Sequence, residues 1–238
     1  TGSGDQNINQ GDVLRNDVTI SGDVRANRVD GGDPELRTSN TVTDDSSSTV
    51  TMPSGSIESK TVFAINGSTT TDPDLVIAAG DTVTFQIIYR APLAAFENFR
   101  IEDNLPQLVF DVDSDFTPAT AWIAAPADRT APPAAGTAYF GSGTTAALTG
   151  VVPTITPDAP KNGLLFEFVT FTPATPEEAQ LEILFTTTVQ DAIFADGLLL
   201  TNQATAFESN TEGDEISSTA IAQFDYGEPA LSITKGIV

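Results

Sequence analysis

A chain of 238 residues is long enough for one large β domain or two ordinary ones, and its 33 acidic against 10 basic side chains leave a formal net charge of −23. That balance disfavours nucleic acid and anionic membrane surfaces as partners, because the phosphate attraction behind such binding needs lysine and arginine. Neither cysteine nor histidine is present, which removes disulfides, thiol nucleophiles, the usual zinc sites and the commonest general base, and argues against an ordinary enzyme.

The first element in chain order is one copy of a repeat. Gly11-Asp12-Val13-Leu14-Arg15-Asn16-Asp17-Val18-Thr19 and Gly197-Leu198-Leu199-Leu200-Thr201-Asn202-Gln203-Ala204-Thr205 share the pattern G-x-x-L-x-N-x-[VA]-T. Each is followed by a polar tail and then by a strand-like segment with a lysine, Lys60 in one case and Lys235 in the other. Residues 1–55 are therefore expected to be the closing strands and linker of a preceding repeat, or a strand segment donated to a neighbour. Residues 56–226 read as a complete module, and 227–238 as linker and first strand of the next. The first tail carries about eleven extra residues, placed between Arg25 and Arg37. The polar stretch Asp44 to Ser48 reads as linker, and Gly227 to Pro229 as a hinge.

Within the module, period-2 alternation predicts strands near 57–65, 96–103, 107–112, 163–171, 197–208 and 215–225. Val83, Phe85, Ile87 and Tyr89 mark another, and Leu181, Ile183, Phe185, Thr187 and Val189 one more. Short strands broken by Gly, Pro, Asn and Asp give an all-β fold, an Ig-like β-sandwich in a tandem-repeat protein. Residues 113–162 carry seven prolines among Ala, Gly and Thr, and read as a long insertion with a short hairpin from Thr137 to Leu148. It serves either as a contact between modules or as an ordered surface loop.

Three polar residues fall on apolar faces. Asn202 has the parity of Leu198, Leu200, Ala204 and Ala206, Asn16 that of Leu14, Val18 and Ile20, and Asp103 that of Phe99, Ile101 and Leu105, so all three should point inward. Lys60 is ambiguous, sharing parity with Glu58 as well as with Val62 and Ala64. A lysine, a carboxyl and an asparagine in an apolar core form a reactive set: desolvation favours the neutral amine and the protonated acid, and the amine is then a nucleophile toward the carboxamide. Asp103 would shuttle protons as ammonia leaves, giving a Lys60–Asn202 isopeptide bond in a single turnover. The strands carrying the two ends come first and last in the module and are expected to be neighbours. The alternative is a buried Lys60–Asp103 ion pair capped by Asn202.

Ser59-Lys60-Thr61-Val62, Ala79-Gly80-Asp81-Thr82-Val83-Thr84-Phe85, Glu102-Asp103-Asn104-Leu105-Pro106 and Asn202-Gln203-Ala204-Thr205, in that order, resemble the repeated β-sandwich of bacterial and archaeal surface proteins known as domain of unknown function eleven. They are also similar to the isopeptide-forming domains of pilins and adhesins. The resemblance covers about residues 57–238 and implies an extracellular, cell-surface stalk, fibre, adhesin or surface-layer role. Its partners would be adjacent repeats or neighbouring copies of the chain. The long insertion departs from compact members of that family.

Other signals are weaker. Asp111, Asp113 and Asp115 resemble the start of a calcium loop, but Phe116 replaces the glycine and Trp122 the bidentate glutamate, so only a looser calcium site is expected there or at Asp30, Asp33 and Glu35. Calcium is the only cofactor the sequence suggests. Asn66-Gly67-Ser68 matches a glycosylation acceptor. The first functional reading is a structural module of an extracellular repeat protein, not an enzyme. The alternative is an adhesin module that holds a carbohydrate or protein through the insertion, for which Trp122, Tyr139 and Phe140 are the aromatic candidates.

Overall fold

Alternation becomes strand almost wherever the sequence shows it. The computed structural model describes residues 8–26, 35–72, 74–91, 95–168, 170–171, 178–191 and 196–228, and the chain divides into two units, residues 12–52 and the remainder.

The smaller unit is one antiparallel ribbon of β1 (Val13–Ala26) and β2 (Glu35–Thr51). Its register sets Leu14 against Val50, Asn16 against Ser48, Val18 against Ser46 and Gly22 against Val42. Asp44 to Ser48 thus lie in a strand and not in a linker, because pairing with residues 16–20 satisfies their backbone groups whatever their side-chain polarity. Described side chains from 13 to 23 and from 41 to 51 are exposed. Asn16 is among them, contrary to expectation, since two strands form one layer and supply no second face to bury it.

The larger unit holds β3 (Ser56–Ile65), β4 (Ser68–Thr69), β5 (Val76–Ile77), β6 (Thr82–Ala91), β7 (Phe96–Asn104), α1 (Val112–Asp115), α2 (Pro118–Ala121), β8 (Thr137–Phe140), β9 (Thr154–Asp158), β10 (Gly163–Glu167), β11 (Thr170–Phe171), β12 (Ala179–Thr188), β13 (Leu198–Ser209) and β14 (Glu215–Tyr226). One sheet runs β4-β3-β6-β12-β8. The other runs β5-β14-β13-β7-β10-β9, with β11 also on β7. Between them sits an apolar core centred on Phe85, whose ring lies 5.4 Å from Phe185, 5.7 Å from Phe224 and 5.9 Å from Phe110. The protein is an all-β sandwich. Residues 8–11 belong to this unit, with Gln10 N donating to Ala95 O at 3.0 Å.

Three expectations change. Residues 107–112 form no strand: Leu108, at φ 69°, turns the chain after Pro106, and Asp111 then caps the single turn α1. The insertion is no surface loop. It adds an edge strand to each sheet, β8 on β12 and β9 on β10, and Pro157 is tolerated because β9 is outermost. No hairpin spans 137–148 either, because β8 takes β12 as its partner and the chain beyond Phe140 folds over β12. There the Glu182 carboxylate accepts from Gln86 Nε2 at 2.5 Å and from the Gly143 amide, while Thr144 Oγ1 bonds the Glu182 backbone on both sides at 3.0 Å. A β-carbon on Gly141 or Gly143 would run into that carboxylate. Consequently β12 is buried on both faces, and Tyr139 and Phe140 are core residues and not exposed adhesive aromatics.

Candidate functional site

Lys60 reaches the core by way of a β-bulge. The register of β3 on β6 shifts between Ile57 and Ser59, so Ile57 faces inward before the shift, and Lys60, Val62 and Ala64 after it. This explains the ambiguous parity of the lysine. On the opposing sheet, Phe99, Ile101 and Asp103 of β7 face inward, and Ala204 of β13 pairs directly with Asp103. Asn202, two residues along β13 on the same face, is its diagonal neighbour. The lysine and the asparagine therefore lie in facing sheets and not on adjacent strands; β6 and β4 flank β3, and β7 and β14 flank β13.

Asp103 and Asn202 are completely buried, and the Lys60 side chain shows no exposed surface. Lys60 Nζ donates to Asp103 Oδ2 and lies 5.2 Å and 5.5 Å from the ring centres of Phe85 and Phe185. Burial pulls the amine below the usual lysine range and pushes the carboxyl above the usual aspartate range; attraction between the two, and the Asn202 amide beside Asp103, oppose these shifts without cancelling them. Both shifts run in the direction of a neutral amine and a protonated acid. Asn202 lies close enough to Asp103 to hold its carboxyl down, but Asp103 Oδ1 and both amide atoms of Asn202 fall outside hydrogen-bond geometry with any neighbour. Stranding such groups costs about 1–3 kcal/mol each, a penalty that a purely structural polar cluster would remove by pairing them.

The acidic run after β7 is not gathered. Asp111 Oδ1 accepts from Ser114 N at 3.3 Å as the cap of α1, Asp113 faces solvent, and Asp115 Oδ2 accepts from Thr187 Oγ1 at 2.6 Å and Thr188 N at 2.7 Å. Among the described residues no three acidic side chains are grouped to hold a metal ion. Asp30 and Asp33 lie outside the described residues, as does Lys235, and Glu35 opens β2. Asn66, exposed at a turn with φ 51°, donates to Asp81 at 2.7 Å and accepts from Thr82 N at 3.0 Å.

A second buried polar group escaped the sequence reading. Glu208, on the inward face of β13 with Asn202, Ala204 and Ala206, accepts from Tyr89 Oη at 2.8 Å and from Gly55 N at 2.9 Å. Gln10 Oε1 accepts from the same amide at 2.7 Å. Burial raises the Glu208 carboxyl above its usual range and the bonds from Tyr89 and Gly55 hold it back. The signal was present, since Glu208 has the parity of its buried neighbours and Tyr89 that of Phe85 and Ile87.

No family model matches the chain, and no curated protein matches it in sequence. Solved structures do show similarity. The major pilin subunit BcpA of Bacillus cereus is 13% identical with a TM-score of 0.44, over 82% of this chain and 50% of the pilin. The C-terminal domain of the antigen I/II-family protein AspA of Streptococcus pyogenes is 11% identical at 0.44, over 79% and 57%. The C-terminal domain of the antigen I/II polypeptide BspA of Streptococcus agalactiae is 12% identical at 0.43, over 77% and 54%. This chain thus spans about half the length of each.

Proposed function

We propose that this chain is a structural module of an extracellular repeat protein at the cell surface, locked by an internal isopeptide bond between Lys60 and Asn202. The observation that carries the reading is the completely buried Asn202 carboxamide, without a hydrogen-bond partner, on the face that meets Lys60 and Asp103. In the step proposed, neutral Lys60 Nζ attacks Asn202 Cγ while protonated Asp103 gives its proton to the amide oxygen. As the tetrahedral intermediate collapses, Asp103 carries a proton from the new nitrogen to the departing NH2, ammonia leaves, and the proton on the oxygen returns to Asp103 as the carbonyl re-forms. One C–N bond forms and one breaks, with no oxidant or cofactor. Packing supplies the proximity.

A bond between β3 and β13 would carry tension from one sheet to the other and keep the segment between them from unravelling under load. Its partners would be adjacent repeats or further copies of the chain. The exposed ribbon of β1 and β2, with Asn16 at the position of Asn202 in the shared motif, supports this as the closing pair of another sandwich. Intact mass tests the reading: folded protein should weigh one ammonia less than its sequence, and Asp103→Ala or Lys60→Ala should restore the full mass. An unmodified mass in folded wild-type protein would leave only a buried polar cluster.

A further inference from the structure

In so acidic a chain nearly every placed cation has a carboxylate beside it. Arg15 pairs with Asp17, Lys60 with Asp103, Arg90 with Glu58 and Glu178, Arg100 with Glu102 and Glu215, and Lys161 with Glu102 and Asp158. Among the described side chains Arg129 is the exception, although the chain carries 33 acidic residues. Its neighbour Asp128 does not pair with it; the Asp128 carboxylate accepts from Thr130 N at 3.5 Å.

Arg129 is also held in place at a cost. Its backbone sits at φ 50°, in the left-handed region that a long side chain rarely occupies, with Arg129 N donating to Pro126 O at 3.1 Å and Arg129 O accepting from Ser142 N at 3.0 Å. It lines a recess of about 210 Å³ with Trp122, Phe140, Thr149 and Val152. Trp122 stands edge to face on Phe140 at 4.5 Å and remains partly exposed, and Val152 is 57% exposed at the rim. The rear is fixed, since Trp122 bridges Ala138 and Ile123 N donates to Ala138 O at 3.0 Å. Those contacts engage the outer edge of β8 at Ala138, where an extended peptide would otherwise pair.

We propose that this recess binds an acidic sugar residue of a glycan, a uronic acid. The guanidinium meets the carboxylate through its planar fork, and the indole receives the apolar C–H face of the ring. The volume suits one ring and not a long segment. The site is independent of the cross-link: it lies wholly on the insertion and uses none of Lys60, Asp103 or Asn202.

Trp122 is the single tryptophan of the chain, so fluorescence excited where the three tyrosines do not absorb reports on this recess alone. Titration with a galacturonic acid oligomer should give a saturable change, with a dissociation constant on the order of 1 mM for a one-ring site. The fully methyl-esterified oligomer keeps the ring, loses the charge and should bind at least tenfold more weakly. Arg129→Gln should weaken binding of the acid form by a similar factor. Arg129→Asn, which accepts the left-handed backbone more readily, should do the same with the melting point unchanged, separating lost binding from lost folding. No change in fluorescence, an equal response to acid and ester, or Arg129→Asn binding as wild type would each overturn the proposal. An equal response to a polyglutamate peptide would also defeat it, since the site would then answer to any carboxylate.

Discussion

The cross-link and the ion pair predict opposite outcomes when both ionisable partners are replaced by apolar residues. Lys60→Met together with Asp103→Leu keeps the approximate length and branching of the two side chains and leaves no buried charge. An isopeptide bond between positions 60 and 202 closes a loop of about 140 residues, worth about 5 kcal/mol at 25 °C through the restricted unfolded chain. For a domain of this size that lowers the melting temperature by about 10–20 °C when the bond is absent. Were Lys60 and Asp103 an ion pair alone, each single replacement would cost about 3–5 kcal/mol by stranding its partner, but the double replacement would be neutral or stabilising by about 1–4 kcal/mol. The assay is thermal melting of wild type, both single variants and the double variant, with the mass of each sample measured beforehand. The cross-link requires all three variants to melt well below wild type and to weigh their full sequence mass. A double variant that melts at or above wild type refutes the covalent account.

Other consequences can be checked alongside it. Glu208 has its folded pKa raised above the unfolded value, so the folded state binds the extra proton, and its contribution to stability is complete below the unfolded pKa and lost as pH rises through the folded one; Glu208→Gln should flatten that part of a stability–pH profile. Gly55→Ala should destabilise the sandwich by more than about 2 kcal/mol, because the added carbon runs into Tyr89 Oη, as urea unfolding would show. Asp115→Ala should cost about 1–3 kcal/mol by stranding Thr187 Oγ1 and Thr188 N, whereas Asp113→Ala should leave the melt unchanged with calcium or with chelator. Residues 1–55 expressed alone should show no cooperative melt, since a two-stranded ribbon buries too little to hold itself; dispersed amide signals would contradict this.

Most of the sandwich could be read from parity because most of its strands have one wet face, β12 being the exception. Val83 to Tyr89 and Leu200 to Ala206 alternate as expected, and Asp103 and Asn202 stood out as polar residues in apolar rows. Lys60 was ambiguous for a local reason: the bulge after Ile57 changes which parity faces inward, and a bulge leaves no mark in composition. The insertion was misread because its order comes from long-range pairing. Nothing near Thr137 announces that β12 will be its partner, and nothing near Glu182 announces that Gly141 to Thr144 will fold over it. Prolines were counted as evidence of a loop, yet Pro118 opens a helical turn and Pro157 sits on an outer strand, the two settings that accept a residue without an N–H.

The hydrogen bond from Gly55 N to Gln10 Oε1 has a consequence for how such a chain can be edited. It brings together the two points at which the backbone leaves the sandwich for the ribbon and comes back, with Tyr89 and Glu208 fastening the same spot from beneath. An excursion whose ends already meet behaves as a cassette. Excising residues 12–52 and bridging the gap with a few glycines would leave a closure the folded unit already accommodates, at an entropic cost that grows only slowly with linker length. A foreign segment with closely spaced termini could be spliced in at the same place.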